Sequence, residues 1–113
     1  MTYNKYRNKI TEVDGIKFQS RREADYYCEL LLRLRAREGI VAFELQPEFV
    51  LLNPFTDAMG TKHKVIKYRA DFLVIYTDGG KEVVDVKGAK TKEYLIKKKL
   101  FLAKYPEFKF TEV

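Results

Sequence analysis

The chain has 113 residues and a mass of 13.3 kDa, room for one domain. It is 46% hydrophobic and 34% charged, a balance that suits an ordered domain and argues against a disordered tail. Its net charge of +6 comes with one cysteine, Cys28, and one histidine, His63, which excludes an internal disulfide, a cysteine-based zinc site and two-histidine phosphodiester chemistry.

No apolar run approaches the roughly 20 residues of a membrane-spanning helix, and residues 1–10 lack the apolar stretch of a secretory signal. A cytoplasmic protein with no membrane partner is therefore expected. Residues 1–10 are polar and aromatic and are expected to be loosely held. Residues 11–18 read as a short hairpin turning at Asp14-Gly15. Ser20 reads as a helix N-cap, with Glu23 three residues on, and the helix extends to Glu38 before Gly39. Ala24, Tyr27, Cys28, Leu31 and Leu34 form its apolar stripe.

Strands are expected over 40–45 and 49–52, a loop over 53–62, and one long strand over 64–76. That long strand would place Ile66, Tyr68, Ala70, Phe72, Val74 and Tyr76 on a single apolar face. A turn at 77–80 leads into a strand over 82–87, a helix over 91–105 and a final strand over 108–113. The expected architecture is α+β, a mixed sheet with flanking helices in α-β-β-β-α-β order behind an N-terminal hairpin.

The charge is unevenly placed. Lys87, Lys90, Lys92, Lys97, Lys98, Lys99 and Lys104 face only Glu93 between positions 87 and 104. The first 22 residues are also basic, whereas the middle is slightly acidic. This distribution fits a nucleic-acid partner, and it fits equally a soluble domain with a lysine-rich surface helix. Lys90, Lys97 and Lys104 recur every seven residues, a stripe that could contact phosphates or simply be solvated. Apolar residues lie on two sides of the same helix, which suggests deep burial or a partner chain.

Asp85 and Lys87 point to one face of their strand. A three-residue loop with Gly79 left-handed would pair Tyr76 with Gly80 and set Asp71 opposite Asp85, with Cβ atoms roughly 5 Å apart. Two opposed carboxylates repel unless a cation bridges them, and hard oxygen donors favour Mg²⁺ or Mn²⁺. The bland alternative is a solvated hairpin face whose charges pair with Lys67 and Arg69. Glu23 falls at the core-side edge of its helix, whereas Asp25 and Glu29 point outward. His63 and Cys28 read as an exposed side chain and a core side chain respectively.

A helix glutamate, a strand aspartate and then Asp85-Val86-Lys87 resemble the PD-(D/E)XK nuclease superfamily. More specifically, Val13-Asp14-Gly15-Ile16-Lys17-Phe18, Ser20, Glu23-Ala24, Leu45-Gln46-Pro47, Tyr68-Arg69-Ala70-Asp71-Phe72, Asp85-Val86-Lys87-Gly88 and Lys97-Lys98-Lys99-Leu100-Phe101 resemble a family of small phage-encoded proteins long catalogued as a domain of unknown function. Ala70 stands where proline precedes the first aspartate, and Asp85 stands where glutamate is more frequent.

The resemblance implies a restriction-endonuclease-like core and Mg²⁺-dependent hydrolysis of DNA, with branched or junction structures as candidate substrates, in a phage- or prophage-encoded protein acting in the bacterial cytoplasm. It implies that Asp71, Asp85, the Val86 carbonyl and Glu23 hold the metal. Lys87 would orient the attacking water or stabilise the oxyanion, and Gln46 would be an accessory residue or else a plain strand end before Pro47. Arg21, Arg22, Lys90, Lys92, Lys97, Lys98 and Lys104 would contact DNA. A homodimer would suit cleavage of two strands. A non-catalytic nucleic-acid-binding domain of the same fold is the alternative.

Overall fold

The computed structural model describes residues 10–86 and 90–113. The expectation that residues 1–10 are loosely held falls almost wholly outside them. Strands β1 (Thr11–Val13) and β2 (Ile16–Phe18) form the N-terminal hairpin. Its turn residues Asp14 and Gly15 both take positive φ, 53° and 77°, as a tight hairpin turn demands. Ser20 caps helix α1 (Arg21–Arg35), its Oγ accepting from the Glu23 N–H at 3.2 Å.

The helix ends earlier than the expected Glu38. Arg37 is left-handed (φ 56°), its N–H donating to the Leu34 carbonyl at 3.2 Å, while the Glu38 N–H donates to that of Arg33 at 2.9 Å. This Schellman closure spares the helix a glycine, and Gly39 (φ 83°) then turns the chain into the sheet. The buried face of α1 is Ala24, Tyr27 and Leu30, flanked by the partly buried Cys28, Leu31 and Leu34. Leu30 was absent from the expected stripe.

The next strands are β3 (Ile40–Leu45), β4 (Glu48–Leu52), β5 (Phe55–Thr56), β6 (Lys62–His63), β7 (Ile66–Arg69) and β8 (Phe72–Tyr76). They pair antiparallel as β3 with β8, β4 with β7 and β5 with β6. The register carries through from Leu45↔Phe72 to Glu48↔Arg69, and shifts between Val50 and Leu52 before Phe55↔His63. Residues 40–76 are therefore one long ribbon, bent where Gln46-Pro47 faces Ala70-Asp71. Part of the expected 53–62 loop is its far end.

The bend corrects the expectation of one continuous strand over 64–76. Tyr68 and Ala70 pack in one core, whereas Phe72 and Val74 pack in the other. The alternation breaks at Ala70-Asp71 because Pro47 has no N–H to return a ladder bond; only the Ala70 N–H donates, to the Pro47 carbonyl at 3.1 Å.

Strand β9 (Lys81–Asp85) follows β8 in a hairpin, helix α2 (Lys92–Lys104) follows, and β10 (Lys109–Glu112) lies parallel to β9. The mixed sheet runs β10-β9-β8-β3. Helix α1 covers one face, packing on Phe72, Val74, Val84 and Val86. Helix α2 and β7 cover the other, packing on Leu73 and Val83 through Tyr94, Phe101, Tyr68 and Ala70. The fold is thus α+β. The expectation of deep burial does not hold for α2: Tyr94 and Phe101 are buried, but Leu95, Ile96, Leu100 and Leu102 are exposed.

Candidate functional site

The β8–β9 hairpin turns as its sequence demands. Gly79 is left-handed (φ 87°), the Gly79 N–H donates to the Tyr76 carbonyl at 3.0 Å, and the Tyr76 N–H donates to the Gly80 carbonyl at 2.9 Å. Pairs Ile75↔Lys81 through Phe72↔Val84 follow, and Asp71 and Asp85 stand just beyond the last pair. The Val86 N–H donates to Asp71 Oδ2 at 2.7 Å, and the Asp71 N–H to the Val84 carbonyl at 3.2 Å.

Asp85 is only 1% exposed. It lies on the α2 side of the sheet, where the buried Tyr68 hydroxyl donates to its Oδ2. Burial, the bond to Asp85 and the negative charge of Asp85 and Asp71 push the Tyr68 hydroxyl far above the usual tyrosine range. Tyr94 is pushed the same way by burial, its bond to Glu112 and the same two aspartates. The fields of Asp71 and Asp85 therefore converge on two tyrosine hydroxyls.

Asp71 also faces the α1 side. Glu23, Gln46, Asp71 and Phe72 line one cavity of about 140 Å³, together with Ile16, Lys17, Phe18 and Leu45. Glu23, half-buried in the first turn of α1, reaches it from the helix. Gln46 reaches it from the ribbon bend, where its φ is 49°, a left-handed conformation that a non-glycine residue rarely adopts. The Gln46 N–H donates to the Asp71 carbonyl at 2.9 Å, which ties the bend to the aspartate. Asp71 thus stands between a Glu23–Gln46 cavity and the Asp85–Tyr68–Tyr94 cluster.

Lys87 lies outside the described residues. Asp71 and Asp85 are hard oxygen donors at the end of the β8–β9 hairpin, of a type suited to Mg²⁺ or Mn²⁺, and Val86 follows Asp85 in the chain. Among the described residues no group of three His, Cys, Asp or Glu side chains is placed to hold a metal ion.

The expected phosphate-binding stripe is largely committed to acids. Lys90 and Lys98 each pair with Glu112 at 3.2 Å, and Lys97 pairs with Glu93 at 3.1 Å. Glu112 is held down to about 2 by the Tyr94 hydroxyl and by these two lysines. Arg22, Lys92 and Lys104 are exposed, and Arg21 lies 3.9 Å from Asp25. Lys97 faces a second cavity, of about 300 Å³, shared with Lys67, Tyr68, Arg69 and Tyr94. Sequence reasoning missed Tyr68, Tyr94 and Glu112. Glu112 alone carried a signal, as an acid at the end of the final strand; Tyr68 was assigned to the opposite face. His63 is exposed, as expected, and Cys28 is half-buried against the α1 core.

These features define an α+β domain with an acidic site where a bent ribbon meets a central hairpin. Over residues 3–113 the chain matches the family described as a protein of unknown function, DUF1064, and it belongs to that family. No curated protein and no solved structure matches it. No described helix is long and apolar enough to cross a membrane.

Proposed function

We propose that this protein is a metal-dependent endonuclease of the PD-(D/E)XK type, hydrolysing DNA phosphodiester bonds from a restriction-endonuclease-like core. The single observation that carries the reading is that Asp71 and Asp85 lie immediately beyond the last β8–β9 pair, Phe72↔Val84, with the Val86 N–H bonded to Asp71 Oδ2, while Glu23 and Gln46 share the cavity at Asp71. The order α1, β3, β8, β9, α2, β10, with β9 and β10 parallel, supports the core assignment.

Asp71 and Asp85 would hold Mg²⁺, with the Val86 carbonyl and Glu23 completing the set. Bound there, the ion lowers the pKa of a coordinated water and offsets charge building on the phosphate. Asp71 is oriented for this by the Val86 N–H, and Asp85 by the Tyr68 hydroxyl. Gln46, held at the bend, would fix the water or phosphate from the α1 side. Lys87 would supply the ammonium that stabilises the developing oxyanion. A phage or prophage origin, a bacterial cytoplasmic setting and a homodimer belong to the same reading.

The burial of Asp85 beneath Tyr68 favours a second reading, a nucleic-acid-binding domain that keeps this fold without catalysis. One experiment separates the two. The protein is incubated with Mg²⁺ or Mn²⁺ and plasmid, linear and four-way-junction DNA. Cleavage that disappears in Asp71→Asn and Lys87→Ala, with DNA binding retained, supports the nuclease. Binding without cleavage of any substrate supports the second reading.

A further inference from the structure

Beyond the Gln46–Asp71 bend the ribbon carries an apolar surface that the fold leaves exposed. Its root is anchored: Phe49 packs on Phe101 at 4.8 Å between ring centroids, and the Tyr105 hydroxyl donates to the Val50 carbonyl at 2.9 Å. Further out, Leu52, Phe55, Val65 and Ile66 are exposed, and Met59 at the apex is 90% exposed.

The apex is braced. The Asp57 carboxylate accepts from the Met59 N–H at 2.9 Å and the Thr61 N–H at 3.0 Å, and pairs with His63 Nε2 at 2.8 Å. The Asp57 N–H donates to the Thr61 carbonyl at 2.9 Å, and His63 stacks on Phe55 at 4.6 Å. The fold therefore spends a closed turn on presenting a flexible, unbranched apolar side chain to solvent.

The returning strand carries the matching charge. Lys62, Lys64, Lys67 and Arg69 are all exposed, with no acid between positions 62 and 69. In sequence this row runs from near the apex towards Asp71, with Glu48 opposite Arg69 across the ribbon. A second copy of the chain would bring like charges together along that row, whereas a polyanion would be attracted to it. A two-stranded ribbon also has the width that a DNA groove admits.

Building on the DNA reading above, we infer that the ribbon is a DNA-deforming arm: Lys62, Lys64, Lys67 and Arg69 follow the phosphates, and Met59 presses into a base step. Apolar wedges of this kind unstack a step and kink the duplex. Twelve positions separate Met59 from Asp71, at most about 40 Å of extended strand, so the deformed step lies no further than about twelve base pairs from the bond at Asp71. A branch or gap is already unstacked there, which would make such DNA the cheaper substrate.

The test uses the full chain carrying Asp71→Asn, with 2-aminopurine walked along linear and four-way-junction DNA. The expected result is a fluorescence rise of at least twofold at one position no further than about twelve base pairs from the cleavage point. Met59→Ala abolishes that rise and weakens binding severalfold, and Lys62→Ala with Lys64→Ala lowers the salt dependence of binding by about two counterions. Because Met59 is solvent-exposed, its variant keeps the parent's thermal melt. A rise that is absent everywhere, or unchanged in Met59→Ala while DNA still binds, overturns the arm and leaves the nuclease reading standing. Loss of a homodimer in sedimentation on Met59→Ala, with the DNA signals unchanged, makes the apex a protein contact and overturns the arm. No binding to any DNA at low salt removes the DNA reading itself, and the arm with it.

Discussion

The Gln46 N–H donates to the carbonyl oxygen of Asp71 at 2.9 Å across a ribbon that bends at this pair, and Gln46 takes a φ of 49° to do so. The bend changes which core each strand serves and brings Gln46, Glu23 and Asp71 around one cavity. A left-handed non-glycine residue costs on the order of 1 kcal/mol. Gln46→Gly is expected to leave stability unchanged or raise it by up to about 1 kcal/mol, while lowering DNA cleavage. Denaturant melts and cleavage rates on the same preparation check both directions.

Asp71 has a structural task that can be separated from the chemical one. Its Oδ2 accepts the Val86 N–H at 2.7 Å. Asp71→Asn keeps an acceptor and should cost under about 1 kcal/mol, whereas Asp71→Ala orphans the N–H and should cost about 1–3 kcal/mol. Both should reduce Mg²⁺-dependent cleavage by about a thousandfold, since the lost charge stabilisation is worth several kcal/mol. Paired stability and cleavage measurements distinguish the two roles.

Glu112 makes stability depend on acid. Its pKa is lowered from the usual carboxylate value to about 2 by Tyr94, Lys90 and Lys98. A group depressed on folding contributes fully above its unfolded pKa and loses that contribution as pH falls through the folded one. Stability should therefore decline between about pH 5 and pH 2. Glu112→Gln should lower it at pH 7 by about 1–2 kcal/mol and flatten the decline, as read by urea unfolding across that range.

The tyrosines should titrate unequally. Burial and nearby acids push Tyr26 up to about 12, and push Tyr68 and Tyr94 further above the usual value. In an alkaline absorbance titration, Tyr68→Phe and Tyr94→Phe should leave the reversible phase unchanged and shrink only the phase that accompanies unfolding. Tyr68→Phe should also destabilise the fold by about 2 kcal/mol, because buried Asp85 loses a donor. A smaller reversible phase in Tyr68→Phe would contradict this account.

Much of the site was legible because it depends on short-range chemistry. Thr77-Asp78-Gly79 specifies a loop that only a left-handed residue closes, and from that loop the register of the hairpin follows by counting as far as Phe72↔Val84, one position short of Asp71 and Asp85. Ser20 and Glu23 specify a helix start, and Glu23 faces the core side because helical spacing puts it beside Tyr27. The Gln46 conformation was not legible, since nothing local favours left-handed backbone at a glutamine before proline. The error over Tyr68 followed from it: period-two counting assumes an unbroken strand, and the bend shifts every side chain beyond it to the other core.

By itself, the sequence determined the Asp14-Gly15 and Thr77–Gly79 turns, the Ser20 cap and the register of the β8–β9 hairpin, because neighbours within a few residues set them. Tertiary structure decided which acids and cations meet. Parallel pairing of β10 with β9 brings Glu112 beside Asp85 across 27 positions of chain, and there Glu112 draws Lys90 and Lys98 into ion pairs. A basic segment cannot reveal this, because charge in a sequence has sign and spacing but no neighbours until distant strands pack.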